Sequence, residues 1–379
     1  MSLALHAPLL AQLAATPHGR PAGKLRIAQS ASLSGPQSDA GLGFSKGAKA
    51  AFAAVNAAGG VHGRLIEFVS EDDGDDVNRT LRNTEQFLAM GEGTLALIGY
   101  TGTASTKAAI PLAKAAGVVM FAPITGSDDL QAEFHPHVFF VRGTHSDEIL
   151  KILQHLTTIG SQRIGVLHPA DSLGQRKMAL VMDFASRHQL PVPKSVAYDT
   201  RSPDMTVAAK ALREGQVQTV LHLTSSQYSG QLLKALDGVH EPGAAALNHY
   251  GVSNINATDL VRVAGKSAHG FVIAKRVPNP AGTSTIVAEF RGAMQAQPSA
   301  SKADVASAAA LEGYIAARLL IKALWNAGPR VDRAALRNAL EALGRQEMGT
   351  FAVAYGPGKH RGSSFVDLAM VRDDMTVAR

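Results

Sequence analysis

The sequence predicts an α/β fold built from two series of βα units with mostly parallel sheets. Three observations predict it. From about Lys24 onward, short apolar runs alternate with longer amphipathic stretches. The same architecture starts again after about residue 160 without any repeated sequence. The length of 379 residues exceeds the usual single-domain range.

In the first series, the strand "LRIAQSAS" (Leu25 to Ser32) leads to a helix from about Gly41 to Ala58. Gly59 and Gly60 end that helix, since glycine adopts the positive φ that a helix C-terminus favours. "LIEFVSEDD", "TLALIGY", "VVMFAPI" and "VFFVRGT" read as four further strands, separated by "DVNRTLRNTEQFLAM", "ASTKAAIPLAKAA" and the short "GSDDLQ".

In the second series the strands are "RIGVLHPAD", "SVAYD", "TVLHLTSS", "LNHYGVS" and "GFVIAKRV". Helices are expected near Leu173 to His188, Met205 to Glu214, Gln227 to Asp237 and Ala257 to Ala264. One long apolar helix is expected from Ala303 to Trp325, then a helix near Arg333 to Leu343 and two late strands, "TFAVAY" and "FVDLAMV".

Composition narrows the function classes. Hydrophobic residues make up 46% and charged residues 18%, and no apolar run reaches the roughly 18 to 20 residues of a membrane helix, so a soluble chain is expected. The formal charge is +6, but the basic residues are scattered and never interleave with aromatics as nucleic-acid surfaces do. The absence of cysteine excludes disulfides, thiol nucleophiles and thiolate metal sites, and leaves the compartment open. "LALHAPLLAQLAA" (Leu3 to Ala15) reads either as a degenerate export signal lacking its basic start or as a disordered extension.

Gly41, Gly43 and Gly47 suggest a dinucleotide turn at first sight. In such a turn the first glycine follows the strand directly, aiming a helix N-terminus at the pyrophosphate. Here Leu33 to Ala40 intervene and the spacing is G-x-G-x-x-x-G. These glycines are therefore expected to let the helix pack closely on its sheet, with Ser38 in the preceding loop facing a ligand. "EDDGDD" (Glu71 to Asp76) has five carboxylates in six positions, yet Arg82 stands where an EF-hand requires its closing glutamate. A solvated loop with Asp75 or Asp76 capping the next helix is expected.

No nucleophile elbow, P-loop or H-E-x-x-H helix occurs. His135 and His137 lack an evident third ligand and read as surface residues. His168 and His222 end apolar strands and fit either a cleft wall or the core. No catalysis, cofactor or metal is expected.

"GYTGTASTKAAIPLAKAAG" (Gly99 to Gly117) is more informative, because a strand ends in glycines and small hydroxyls that run straight into a helix. Backbone N–H groups there would point at a ligand held at the carboxyl edge of the sheet. The next strand ends comparably, in "APITGSDDL". Two such ends make either a small-anion pocket or a pair of ordinary N-cap loops.

Taken in order, "SLSGPQSDAGLGFSKGAKAAFAAVNAAGGVHGR", "EDDGDD", "GYTGTAST", "AGVVMFAPITGSDDL", "VFFVRGTHSDE", "GVSN" and "HGFVIAKRVPNP" resemble the type I periplasmic binding proteins of the branched-chain amino-acid ABC transport family. The resemblance implies two Rossmann-like lobes joined by three crossings near Arg142 to His145, Lys275 to Pro278 and Met348 to Phe351, with one small ligand between them. The implied lobes are residues 24–142 with 277–349 and 143–276 with 350–379, after a signal remnant or disordered extension over 1–23.

By the same resemblance, Tyr100, Gly102, Thr103, Thr125 and Gly126 hold a ligand carboxylate, and Ser172, Ser225 and Tyr250 come from the second lobe. Relatives place an acid against the ligand's α-ammonium near Tyr250, but no Asp or Glu occurs between Glu241 and Asp259. An unpaired, desolvated ammonium is costly. The implied ligand is therefore an aromatic acid, a short organic acid or an amide as readily as an amino acid. A disulfide found in some relatives is missing, with Asp76 or Val77 and Gly102 standing near its place.

The resemblance implies a periplasmic monomer that delivers a small molecule to a membrane ABC permease and binds no nucleic acid. A cytoplasmic sensor of the same fold, regulating a partner protein, is the rival reading; a nucleotide-using α/β enzyme is the third.

Overall fold

The computed structural model describes residues 23–35, 38–90, 93–239, 245–372 and 377–378. The segment expected to be a signal remnant or extension lies outside them, save Gly23. The described chain forms two compact units, one running up to Arg142 and then over Pro280–Ser363, the other over Gly143–Asn279 and from Ser364 onward.

The first unit begins with β1 (Leu25–Ala31), α1 (Ser38–Ala57), β2 (Ile66–Asp72), α2 (Val77–Ala89), β3 (Thr94–Ile98), α3 (Thr103–Ala115), β4 (Val119–Phe121), α4 (Asp128–Ala132) and β5 (Val138–Phe139). Its sheet is parallel in the order β2-β1-β3-β4-β5. Because strands alternate their faces, Ala28, Leu97 and Met120 share one face and pack against Phe87 of α2 and Ala109, Ile110 and Ala113 of α3.

The second unit continues with α5 (His145–Thr158), β6 (Ile164–Pro169), α6 (Ser172–Arg187), β7 (Lys194–Tyr198), α7 (Met205–Glu214), β8 (Thr219–His222), α8 (Ser226–Gly238), β9 (Asn248–Gly251), α9 (Ala257–Ala264) and β10 (Val272–Lys275). The chain returns to the first unit for α10 (Thr285–Gln295), α11 (Lys302–Val305), α12 (Ala308–Ala327), α13 (Arg333–Glu341) and the antiparallel hairpin β11 (Arg345–Met348) and β12 (Phe351–Ala354). It ends in the second with β13 (Asp367–Val371) and β14 (Val377–Ala378).

The second sheet runs β14-β13-β10-β9-β8-β6-β7, parallel from β10 to β7, with β13 antiparallel to both β10 and β14. Ile149, Ile152, Leu153 and Leu156 of α5 enter its core with Val166 and Tyr250.

Four expectations are corrected. The third crossing falls at 363/364 rather than at Met348 to Phe351. Main-chain bonds join Phe140 to His360 (2.9 Å) and Gly362 to Phe140 (2.9 Å), and the Tyr355 hydroxyl donates to the Phe140 carbonyl at 3.0 Å. The segment after β12 is thereby fastened to the first unit. The second division lies at 279/280, three residues beyond the expected 276/277.

The apolar stretch from Ala303 to Trp325 is two helices, because Ser307 accepts from the Ala310 N–H at 3.2 Å and starts α12 afresh. The segments forming α5 and α10, assigned no element from the sequence, are helical.

The glycines of α1 meet more than a sheet. A Cβ at Gly47 would lie 1.7 Å from the Ala310 carbonyl oxygen, one at Gly43 2.7 Å from the Ala309 Cβ, and one at Gly313 2.0 Å from the Phe44 carbonyl oxygen. Their missing side chains bring the backbones of α1 and α12 into contact. Only Gly41 serves the strand side, its Cβ position lying 2.2 Å from the Ser32 carbonyl oxygen.

Candidate functional site

In an open α/β sheet, ligands bind outside the carboxyl ends of the strands where the strand order reverses. In the first sheet that point lies between β1 and β3, and in the second between β6 and β8. Ser38 follows β1, Thr103 follows β3, Ser172 follows β6 and Ser225 follows β8. The topology thus places these four at the two switch points.

In the first unit the loop after β3 keeps pairing with the segment after β4. The Ile124 N–H donates to the Tyr100 carbonyl at 2.7 Å, and the Gly102 N–H to the Ile124 carbonyl at 3.3 Å. Gly102 then turns the chain into α3 at φ 82, a conformation L side chains rarely adopt, and offers no side-chain cap. The first-turn N–H groups of Thr103, Ala104 and Ser105 therefore have no intrahelical acceptor.

The Thr103 and Thr125 hydroxyls lie 2.7 Å apart, and Thr125 also accepts from the Ser127 N–H at 3.2 Å. Thr125 and Gly126 are buried and Thr103 is exposed, so this pair runs from interior to surface. Such an arrangement suits one carboxylate.

The acidic loop serves the scaffold. Asp72 accepts from the Leu33 N–H (2.9 Å), the Ser34 hydroxyl (2.6 Å) and the Gly74 N–H (2.9 Å). The Ser34 hydrogen bond leads in holding its carboxyl down at about 2. Asp73 is fully buried, bonded to the Ser30 (2.8 Å) and Thr80 (3.0 Å) hydroxyls, and burial raises its pKa. Asp76 caps α2, accepting from the Arg79 N–H at 2.7 Å. No group of three or more acids and histidines suited to a metal occurs among the described residues.

In the second unit Ser172 is exposed at the start of α6, where Asp171 supplies the cap by accepting from the Gly174 N–H at 2.8 Å. Ser225 is exposed as the N-cap of α8, and its side chain makes no capping hydrogen bond. Its neighbours are occupied. The Tyr198 hydroxyl bonds that of Thr224, and Ser226 is tied to the Asn256 main chain.

Tyr100 and Tyr250 are corrections. Tyr100 is fully buried with its hydroxyl 2.9 Å from that of Thr84, and desolvation pushes its pKa far up. Tyr250 packs into the second unit's core, 5.6 Å from the His155 ring. Tyr100, two residues past the end of β3, and Tyr250, on β9, are both buried in the cores of their units.

The histidines resolve toward the interior. His168 is satisfied by the Pro169 carbonyl and the Ser195 hydroxyl, each at 2.8 Å. The rings of His222 and His249 face each other at 3.0 Å (Nε2 to Nδ1), and desolvation lowers both pKa values, that of His249 to about 4.

Sequence reasoning missed an ionic cluster in the second unit. Glu148, fully buried on α5, pairs with Arg276 just after β10 and accepts from the Ser253 N–H at 3.2 Å. Arg276 also approaches His145, its Nη2 2.8 Å from Nδ1. The available signal was "THSDEILKILQHL", a capping box at Thr144 and Asp147 followed by helical apolar spacing.

Residues 24–375 match the family model described as periplasmic binding protein. A Leu/Ile/Val-binding protein of Escherichia coli (strain K12) is 24% identical over 257 residues, 66% of this chain and 67% of that protein. A substrate-binding periplasmic protein from Ralstonia solanacearum superposes with a TM-score of 0.74 at 27% identity, over 94% of this chain and 99% of that one. An extracellular ligand-binding receptor from Verminephrobacter eiseniae does so with a TM-score of 0.78 at 25% identity, over 94% and 100%. With the match running nearly end to end over two βα units, the chain belongs to the periplasmic binding protein family, as a non-catalytic solute-binding protein of the type I fold.

Proposed function

We propose that this solute-binding protein of an ABC transporter captures a small carboxylate-bearing ligand: an amino acid, an aromatic or short organic acid, or an amide. The observation that carries the reading is the pairing of Thr103 and Thr125 beside the uncapped first turn of α3, at the switch point of the first sheet. Hydroxyls and main-chain N–H groups there hold a carboxylate without a cationic side chain, as helix N-termini hold anions. Ser38 joins them from the loop after β1, and Ser172 and Ser225 are the second unit's proposed contribution to the same ligand.

The Leu/Ile/Val-binding relatives support an amino acid by their names. Against an α-ammonium stands the condition of the second sheet's acids, since Glu148 is taken by Arg276, Asp171 by a helix cap and Asp199 by Arg201. A periplasmic location and a membrane permease partner follow from the family. No helix among the described residues is long and apolar enough to cross a membrane.

A thermal-shift screen over amino acids, aromatic acids, short organic acids and amides tests the proposal, because a ligand of the folded state raises the melting temperature. Replacing both Thr103 and Thr125 with valine should weaken the best carboxylate hit about tenfold or more, the worth of one to two charge-assisted hydrogen bonds. Unchanged affinity in that double variant would move the carboxylate elsewhere.

A further inference from the structure

The second unit carries a cavity whose lining includes none of the residues assigned to the ligand. Arg163 precedes β6, Gln218 precedes β8 and Asn248 begins β9, and these strands run parallel. All three therefore stand at the amino edge of the sheet, opposite to the edge that carries Ser172 and Ser225. With Arg213 and Gln216 they line a cavity of about 510 Å³, a volume in the range of small-molecule sites.

The cavity is basic. Its lining holds two guanidinium groups and no carboxylate. Each guanidinium is oriented by one main-chain acceptor, Arg163 Nε donating to the Gln216 carbonyl at 2.8 Å and Arg213 Nη1 to the Ala245 carbonyl at 3.0 Å. These bonds use one of the five N–H donors that each arginine carries. Arg213 Nε is moreover buried with no hydrogen-bond partner among the described residues. Gln218 is fixed as well, its Oε1 accepting from the Gln162 (3.1 Å) and Arg163 (3.2 Å) N–H groups, which leaves its side-chain amide nitrogen as a further donor.

Neither guanidinium makes an ion pair among the described residues, and Glu214, the acid next to Arg213 in sequence, is exposed and pairs with neither. A cation near the C-terminus of α7 is favoured, which accounts for the two carbonyl contacts. It does not account for two like charges lining one cavity without an acid, since these repel each other until an anion enters.

We infer that this cavity is a second binding site, separate from the carboxylate cradle, and that it takes a doubly charged oxyanion: inorganic phosphate or the phosphate head of a small ester. The oriented forks of two arginines match the several oxygens of such a group, and their two charges match its charge.

The test is calorimetric titration and thermal shift of the full chain with phosphate, sulfate and glycerol phosphate, against acetate and chloride at matched ionic strength. Phosphate or its ester should bind with a Kd of about 1 mM or tighter, and at least about tenfold more tightly than acetate. Replacing Arg163 and Arg213 together with glutamine should weaken it about tenfold or more, and Arg163→Gln alone, at an exposed position, at least about threefold. Backbone amide resonances shifted by phosphate should cluster at Arg163, Gln216, Gln218 and Asn248. The double valine variant of Thr103 and Thr125 should bind phosphate as the wild type does, so this site stands or falls apart from the carboxylate reading. Tighter binding of glycerol phosphate than of phosphate identifies an ester as the occupant, and the reverse identifies the free ion.

The inference is overturned if phosphate and its ester bind no more tightly than acetate, or if the shifted amides lie away from the amino edge of the second sheet. It is also overturned if the double glutamine variant, or Arg163→Gln where the double variant does not fold, binds phosphate as tightly as the wild type.

Discussion

The two units partner their buried charge differently. In the first, the acids of the loop after β2 are absorbed by local hydrogen bonds, with Asp72 holding the loop after β1, Asp73 turned inward and Asp76 capping α2. Its candidate ligand groups are neutral hydroxyls and N–H donors. The first buries the Arg142–Glu312 pair as the second buries Glu148 with Arg276, but the second also sets His222 against His249 in its interior. The first unit instead relies on backbone contact between α1 and α12 through glycines. The difference teaches that added bulk should harm the first unit most, and protonation of the facing histidines the second.

The largest effect expected is steric. Gly47→Val would place carbon 1.7 Å from a main-chain oxygen of α12, which helix backbones cannot yield to, and should cost more than about 4 kcal/mol or abolish folding. Urea unfolding measures it. A mild loss would mean that α1 and α12 can separate, and that the first unit is less rigidly packed than its glycines imply.

Next is Glu148→Gln, which removes the buried carboxylate paired with the Arg276 guanidinium and should cost about 3 to 5 kcal/mol. The second unit's amides should lose more hydrogen-exchange protection than the first unit's. Equal loss in both would erase the contrast.

The pH dependence separates the units further. His249 has a folded pKa of about 4, below its unfolded value, so its contribution is fully present above about pH 6.5 and is lost as pH falls toward 4. The slope in that window is roughly 1.4 kcal/mol per pH unit for each such histidine, and His222 acts in the same direction. In the first unit Asp72 and Asp304 are held at about 2, so their contributions are lost only as pH falls from about 3.8 toward 2. Unfolding measured from pH 7 to 3 should therefore weaken the second unit more, since the first has His137 alone lowered by desolvation among its described histidines, and His249→Gln should flatten the upper part of the curve.

The smallest effect is at a cap. Asp76→Ala removes the acceptor for the Arg79 N–H and should cost about 1 kcal/mol, leaving the ligand cradle intact. A loss of ligand affinity instead would tie the acidic loop to binding.

Much of this was legible before any coordinates. Strands such as Leu25–Ala31 and Thr94–Ile98 announce themselves as apolar runs, and Asp76 as a cap can be read from the helix that follows it. The Gly102–Thr103 turn is legible because strand end, glycine and hydroxyls are contiguous. Tyr100 and Tyr250 misled because a polar aromatic near a strand end looks the same in sequence whether it points into the core or toward the edge. One residue of register decides between them.

By itself, then, the sequence determined what lies within a turn or two of chain: element type, caps, the hydroxyl-rich strand ends, and the ordered segments that carry the family resemblance. Only the tertiary structure decided which distant groups meet. Gly47 meets Ala310, Phe140 meets His360 across the late return of the chain, and Glu148 finds Arg276. The physical reason is range, since hydrogen-bonded periodicity is written by neighbours whereas close packing and charge pairing are set by segments that only folding brings together.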